Sequence, residues 1–218
     1  EDSGDERVHS CVPDHWRAHT RVFLNKPRRG QLASIDLAYS AVSTPYIFHA
    51  EDDWEFYREG CVEDSVALLD MEPEIVVVLL RSFAHDIHRH YPWTTLESAR
   101  TQSGVRYHRL VSSRPDWQGF SFNPGLRRKQ DYLLTAPYAA YGNGKPGIAE
   151  SQLSMRYAKL GFHAVTLQCD AVLHTGWGVH VSSSDLARNR TARRRWRQLA
   201  GYSSLASVLG FCMGAWLC

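Results

Sequence analysis

The clearest apolar run of the chain is EIVVVLLRSF (74–83), nearly continuous Val and Leu, as in a strand buried on both faces. YIF (46–48) follows Pro45 and has the β-branched and aromatic character of a second core strand. QLASIDLAYSAV (31–42) instead spaces Leu32, Ile35, Leu37, Ala38 and Val42 helically and is ended by STP. GCVEDSVALLDME (60–72) repeats that pattern up to Pro73. IAESQLSMRYAKLG (148–161) sets Leu153, Arg156 and Leu160 three and four apart, with Gly161 as its C-cap. TRVFLNK (20–26) reads as a short strand and QGFSFNPGLRR (118–128) as a strand running into a turn. A short helix follows around 129–134, and FHAVTLQCDAVLH (162–174) is a final strand or strand pair. The stretch between 84 and 117 is polar and His-rich. Strands alternating with helices predict an α/β fold with a mostly parallel sheet. With no internal repeat, one domain over 1–184 is expected, followed by an Arg-rich and apolar extension over 185–218.

Composition narrows this picture little. The chain has 218 residues and a formal charge of +2, too small to demand a nucleic-acid partner, and none is expected. Its charge is uneven: RNRTARRRWR (188–197) carries Arg188, Arg190, Arg193, Arg194, Arg195 and Arg197, while 51–74 is mostly acidic. Cys11, Cys61, Cys169, Cys212 and Cys218 form no CxxC pair, so no zinc knuckle or disulfide framework is signalled. A reducing, cytoplasmic location is the default. The tail SSLASVLGFCMGAWLC is apolar but shorter than the ~20 residues a spanning helix needs. Together with the arginines it predicts peripheral contact with an anionic membrane through 188–217. A helix closing the sheet edge with a solvated arginine face, or a frayed end, is the competing reading.

Chemistry concentrates at the end of the second strand, where Glu51, Asp52 and Asp53 stand side by side. Adjacent carboxylates repel, and they tolerate removal from water only when a cation or hydrogen bonds compensate. A hard divalent ion, Mn²⁺ or Mg²⁺, takes one or two such oxygens and completes its shell with water and phosphate. The alternative is an acidic turn opening the next helix. HDIHRH (85–90) holds His85, His88 and His90, which could suit a metal-dependent phosphoesterase, but it lacks partners at standard spacing and reads as a solvated loop. Trp54, Trp93, Trp117 and Trp177 could stack on sugars or fill the core.

The order of motifs resembles the family-2 glycosyltransferases with the GT-A fold, over roughly residues 1–182. EDSGD (1–5) looks like the family's DDGS loop, GQLASIDLAYSAVSTPYIFHAEDDW (30–54) like the segment leading to its DxD metal motif, and AESQLSMR (149–156) like its EDxDLxxR motif. The resemblance implies a Rossmann-like nucleotide-sugar fold in which the family's first strand and helix do not precede EDSGD. It implies metal contacts from Glu51, Asp53 and His174 of LHTGWG, and a catalytic base at Glu150. It also implies donor contacts from Asp2 and Asp52, and from Asn123 and Arg127 of SFNPGLRR. Asp36 stands where the family usually has Asn, Glu51 replaces the first Asp of DxD, and Ala149 and Gln152 replace two acidic positions. The implied function is metal-dependent, inverting transfer of a sugar from a nucleotide-diphosphate sugar to a saccharide or lipid-linked acceptor. The rivals are the phosphoesterase and a non-catalytic binder of anionic surfaces or nucleic acid acting through the Arg-rich segment.

Overall fold

The computed structural model describes residues 1–101 and 104–176. The extension from 185, its arginines and apolar tail, and Trp177 lie outside the described residues. Eight strands are present: β1 (Tyr46–His49), β2 (Trp54–Phe56), β3 (Ile75–Leu79), β4 (Thr94–Arg100), β5 (Arg106–Ser112), β6 (Gly125–Arg128), β7 (His163–Leu167) and β8 (Val172–His174). The α-helices are α1 (Val8–Cys11), α2 (Gln31–Ser40), α3 (Cys61–Met71), α4 (His88–His90), α5 (Lys129–Leu133) and α6 (Pro146–Lys159).

Six strands form one sheet in the order β1-β6-β3-β7-β5-β4, and β2 pairs with β8 in a separate two-stranded ribbon. The sheet is α/β but largely antiparallel, which corrects the mostly parallel expectation. Only β3 and β7 pair in parallel, while β6 runs antiparallel between β1 and β3, and β5 is antiparallel to both β7 and β4. Hydrophobic pattern carries no sign of strand direction, so alternating elements could not reveal that β6 enters reversed. Because β1 and β3 both oppose β6, they still run the same way, and β7 runs with them. Their carboxyl ends therefore share one edge of the sheet, the edge at which ligands bind in open α/β folds.

The predicted helices fall within two residues of α2, α3, α5 and α6. Two other expectations fail. Residues 20–26 form no strand; they are lashed instead to the N-terminus, with Glu1 N donating to Phe23 O at 2.8 Å and Asn25 N to Glu1 O at 2.9 Å. The polar middle contains the β4–β5 hairpin, whose seven paired positions alternate too weakly in hydrophobicity to be read. In place of a solvated loop, HDIHRH forms a π-helical turn (Phe83–Ile87) running into α4, with Asp86 and Ile87 buried.

All five residues of β3 are buried, and the core divides across the sheet. On one face α2 and α6 bring Leu32, Ile35, Tyr39, Leu153 and Tyr157 against Ile47 and Val77. On the other, α3 brings Leu68 and Leu69 against Val78, Leu126 and Val165. Each such aliphatic contributes about 1.5–3 kcal/mol over leaving it in water. Cys11 and Cys61 are free, while Cys169 is disulfide-bonded. No helix among the described residues is long and apolar enough to cross a membrane.

Candidate active site

Immediately beyond β1 the acidic triplet meets the β2–β8 ribbon. Pairing of Trp54 with His174 sets Asp53 beside Thr175, and the Asp53 carbonyl accepts from Thr175 N at 2.8 Å and Thr175 Oγ1 at 3.0 Å. His174 Nε2 lies 2.9 Å from Asp53 Oδ2, and the His174 ring stacks on Trp54 at 4.5 Å. Gly176 closes over the pair. A Cβ there would come within 2.4 Å of Asp53 Cβ and 2.6 Å of its Oδ2, so only glycine leaves the carboxylate in place. Asp53 Oδ1 is buried with no hydrogen-bond partner among the described residues.

Glu51, half-buried, accepts from Gln31 Nε2 at 3.1 Å. Burial, then the charge of Asp53, push its carboxyl up to about 7, with Glu150 and Asp52 adding to the repulsion and the Trp54 indole opposing it. Asp53 and His174 are thus brought together, with Glu51 in electrostatic contact. Among the described residues, however, no three His, Cys, Asp or Glu side chains are grouped as a preformed metal site.

Glu150 lies in the second turn of α6, past the first turn where a helix dipole alone would favour it. Its Oε1 accepts from Ser121 Oγ at 2.9 Å and Phe122 N at 2.8 Å, two donors from the segment preceding β6. Burial raises its carboxyl, against those two bonds and the charges of Arg81 and Arg127. The Gly-rich loop before α6 is set by Gly142. Its φ of +68° is disfavoured for other residues, and an added Cβ would lie 2.6 Å from Ala149 N. Gln152, at one of the altered motif positions, accepts from Gly142 N at 2.7 Å and fixes that loop.

The remaining predicted residues occupy supporting places. Asp36 caps the turn at Tyr138–Ala140, accepting from Tyr138 N, Ala139 N and Tyr132 OH at 2.8–2.9 Å. Asn123 donates both its backbone N–H and its side-chain amide to Ser121 Oγ. Arg127, expected at the donor sugar, is only 1 % exposed and lies beneath the site, since a side chain directed inward from a central strand cannot reach the cleft. Asp52 is exposed and, with Asp2, Gln31, Tyr39, His49 and Glu51, lines a cavity of about 560 Å³ between α2 and the end of β1. That volume suits a small-molecule ligand.

Asp2 spends its carboxylate inside the protein. It accepts from Asn25, Arg28, Ser34 and the N–H groups of Arg29 and Gly30 at 2.8–3.1 Å. Burial alone would raise this carboxyl, but the Arg29 N–H, the Asn25 amide, the Gly30 N–H and Arg28 together bring it from 3.8 down to about 2. The folded-state value being the lower, these bonds stabilise the fold fully above about pH 4 and are lost as pH falls towards ~2. With the side chain 21 % exposed, screening leaves on the order of 1 kcal/mol. D2N should therefore lower stability by about that much at neutral pH. The urea midpoints of the two chains should converge on acidification; a gap that stays constant down to pH ~2 would mean the loss is one of shape, not charge.

Sequence reasoning missed Arg81, Asp86 and Tyr91, and it singled out His90 only as one of the three histidines of HDIHRH. Arg81 and Asp86, both buried, form a two-pronged ion pair at 2.8 and 2.7 Å, with His90 Nε2 3.6 Å from Asp86. Arg81 also lies over the Trp54 ring at 5.5 Å. Tyr91 feels the charges of Glu150 and Arg81, and stacks on Trp117 at 4.3 Å with rings 3° from parallel. The available signal was a lone Arg terminating the apolar run IVVVLL, with Asp five residues on. The three histidines do not converge: His85 and His88 are exposed, and His88 faces the Thr94 carbonyl. Trp54 and Trp117 are buried, while Trp93 is half-buried beneath Arg114.

The fold and site define an α/β domain with clustered carboxylates at a shared strand-end edge, beside a ligand-sized cavity. No family model matches the chain, and neither a curated protein nor a solved structure matches it.

Proposed function

We propose that the chain is an inverting glycosyltransferase that uses a nucleotide-diphosphate sugar. The observation that carries this reading is the placement of Glu150, held through one oxygen by Ser121 and Phe122 N while it acts electrostatically on Glu51 of the acidic strand end. Two carboxylate functions at one edge, one anchored alone and one clustered, match the two needs of glycosyl transfer: a base and a cation.

Asp53 Oδ1, buried and without a hydrogen-bond partner among the described residues, and the mutual repulsion of Glu51 and Asp53 suit a hard divalent ion, so these two residues would hold Mn²⁺ or Mg²⁺, with His174 beside them. When bound, that ion would offset the charge of the carboxylates and of the donor diphosphate. Glu150 takes the proton of the acceptor hydroxyl on Oε2, since Oε1 is occupied by its two donors. The acceptor oxygen then bonds to the anomeric carbon as the bond from that carbon to the diphosphate oxygen breaks, and the electron pair leaves with the nucleotide diphosphate. The cavity bordered by Asp52 and Glu51 receives the nucleotide, and the Tyr91–Trp117 stack walls the acceptor side near Glu150. The acceptor is a saccharide or lipid-linked hydroxyl.

Nucleotide-sugars should be screened with Mn²⁺ for nucleotide-diphosphate release and thermal stabilisation. A true donor at 100 times its Kd adds about 2.7 kcal/mol of stability. If no nucleotide-sugar stabilises or is cleaved by the chain, with or without acceptor sugars, the reading fails.

A further inference from the structure

Arg127 heads the fully buried side chains of the described residues by volume. Its Nη2 donates to the Ser121 carbonyl at a long 3.3 Å, and its Nε and Nη1 have no hydrogen-bond partner among the described residues. It takes part in none of their ion pairs. The rings of Phe120 and Tyr39, at 5.3 and 5.8 Å from its guanidinium carbon, offset part of the desolvation. The Tyr138 hydroxyl beside the guanidinium adds to these contacts, but none of them supplies a counter-charge, so the burial of Arg127 is best compensated where its charge acts on an acid nearby.

We propose that Arg127 is the internal counter-charge of Glu150 and, through Ser121, its positioning residue. This rests on the reading of Glu150 as the base. The geometry is a short relay. Arg127 binds the Ser121 carbonyl, the Ser121 hydroxyl and the next N–H both bind Glu150 Oε1, and Asn123 locks the Ser121 hydroxyl from the other side. The charged and titratable groups acting on Glu150 are Arg81 from the end of β3, then Arg127 from β6, with Tyr91 after α4 and Glu51 after β1. Arg81 is already matched by Asp86, which leaves Arg127 as the cation whose field is not otherwise spent. Beside a carboxyl that field favours the ionised form, the one able to accept a proton.

The test is a titration of Glu150 by NMR in ¹³C-glutamate-labelled chain, its resonance identified by its loss in E150Q. In R127M, which keeps much of the side-chain volume, the Glu150 midpoint should rise by about one pH unit or more, and R127K should restore most of the shift. The acid limb of any transfer activity should move with it. A folded R127M with an unmoved midpoint overturns the proposal. Should R127M not fold, the native chain still decides: the Arg127 Nε resonance should titrate with the Glu150 midpoint, and its indifference overturns the pairing. Because the titration needs no substrate, a shifted midpoint in a chain that cleaves no nucleotide-sugar would support this coupling while removing glycosyl transfer. Turnover with an unmoved midpoint would do the reverse.

Discussion

Replacing Glu150 with glutamine is expected to lower transfer by about 10²–10⁴-fold, the usual contribution of a positioned general base. The substitution is nearly isosteric, and an amide oxygen can still accept from Ser121 Oγ and Phe122 N, so α6 and its preceding loop should stay in place. What is lost is the capacity to take a proton, a change in barrier of about 3–5 kcal/mol. Stability should hold or rise slightly, because a half-buried carboxylate raised by burial is costly to keep charged. Nucleotide binding should be little changed, since the cavity is lined by Glu51 and Asp52 and not by Glu150. Turnover numbers and donor affinity measured side by side decide it. An E150Q chain that binds donor normally and turns over within about threefold of the native rate does not use Glu150 as its base.

The largest effect on stability is expected at Arg128, next to Arg127 but directed to the opposite face. Its Nε donates to Leu69 O at 3.1 Å. Nη1 donates to Ile75 O and Asp131 Oδ2 at 2.8 Å and to Pro73 O at 3.3 Å, and Nη2 donates to Glu72 O at 2.8 Å and also to Leu69 O. One guanidinium thereby gathers carbonyls left open where α3 ends and the chain turns into β3. R128M would strand those acceptors and leave Asp131, only 4 % exposed, without its cation. Removing one partner of a buried pair costs about 3–5 kcal/mol. For a chain of this size that is a fall in Tm of about 6–20 °C. R128K keeps the charge but not the fork, and should fall between. Adding D131L to R128M should recover part of the loss, because the carboxylate is then no longer stranded. A melting temperature for R128M within about 2 °C of native would show that the carbonyls find water instead.

The catalytic reading was legible to different degrees in different residues. Glu51, Asp53, His174 and Glu150 stood out because each ends or opens an element in a recognisable local pattern, and the structure brings all four to one edge. Arg127 and Asn123 were seen as residues of interest, but their task, supporting Ser121 and Glu150 from below, depends on which way β6 faces. Arg81, Asp86 and Tyr91 were not legible as parts of the site. They join it only where the end of β3, the π-helical turn and α4 come against the β2–β8 ribbon, and the bridge from Arg81 to Val172 joins residues far apart in the chain.

By itself the sequence determined the existence of α2, α3, α5 and α6 and of the buried strands β1, β3 and β7, because a period of 3.6 or an apolar run records how much of an element is hidden from water. It also determined that carboxylates cluster at a strand end. Only the tertiary structure decided that β6 runs antiparallel between β1 and β3, that a hairpin closes the far edge, and that Arg127 is buried, with no ion pair among the described residues, under the Ser121 that binds Glu150. Strand direction and charge pairing arise from contacts between segments far apart in the chain. Local periodicity reports burial alone and is indifferent to which neighbour provides it.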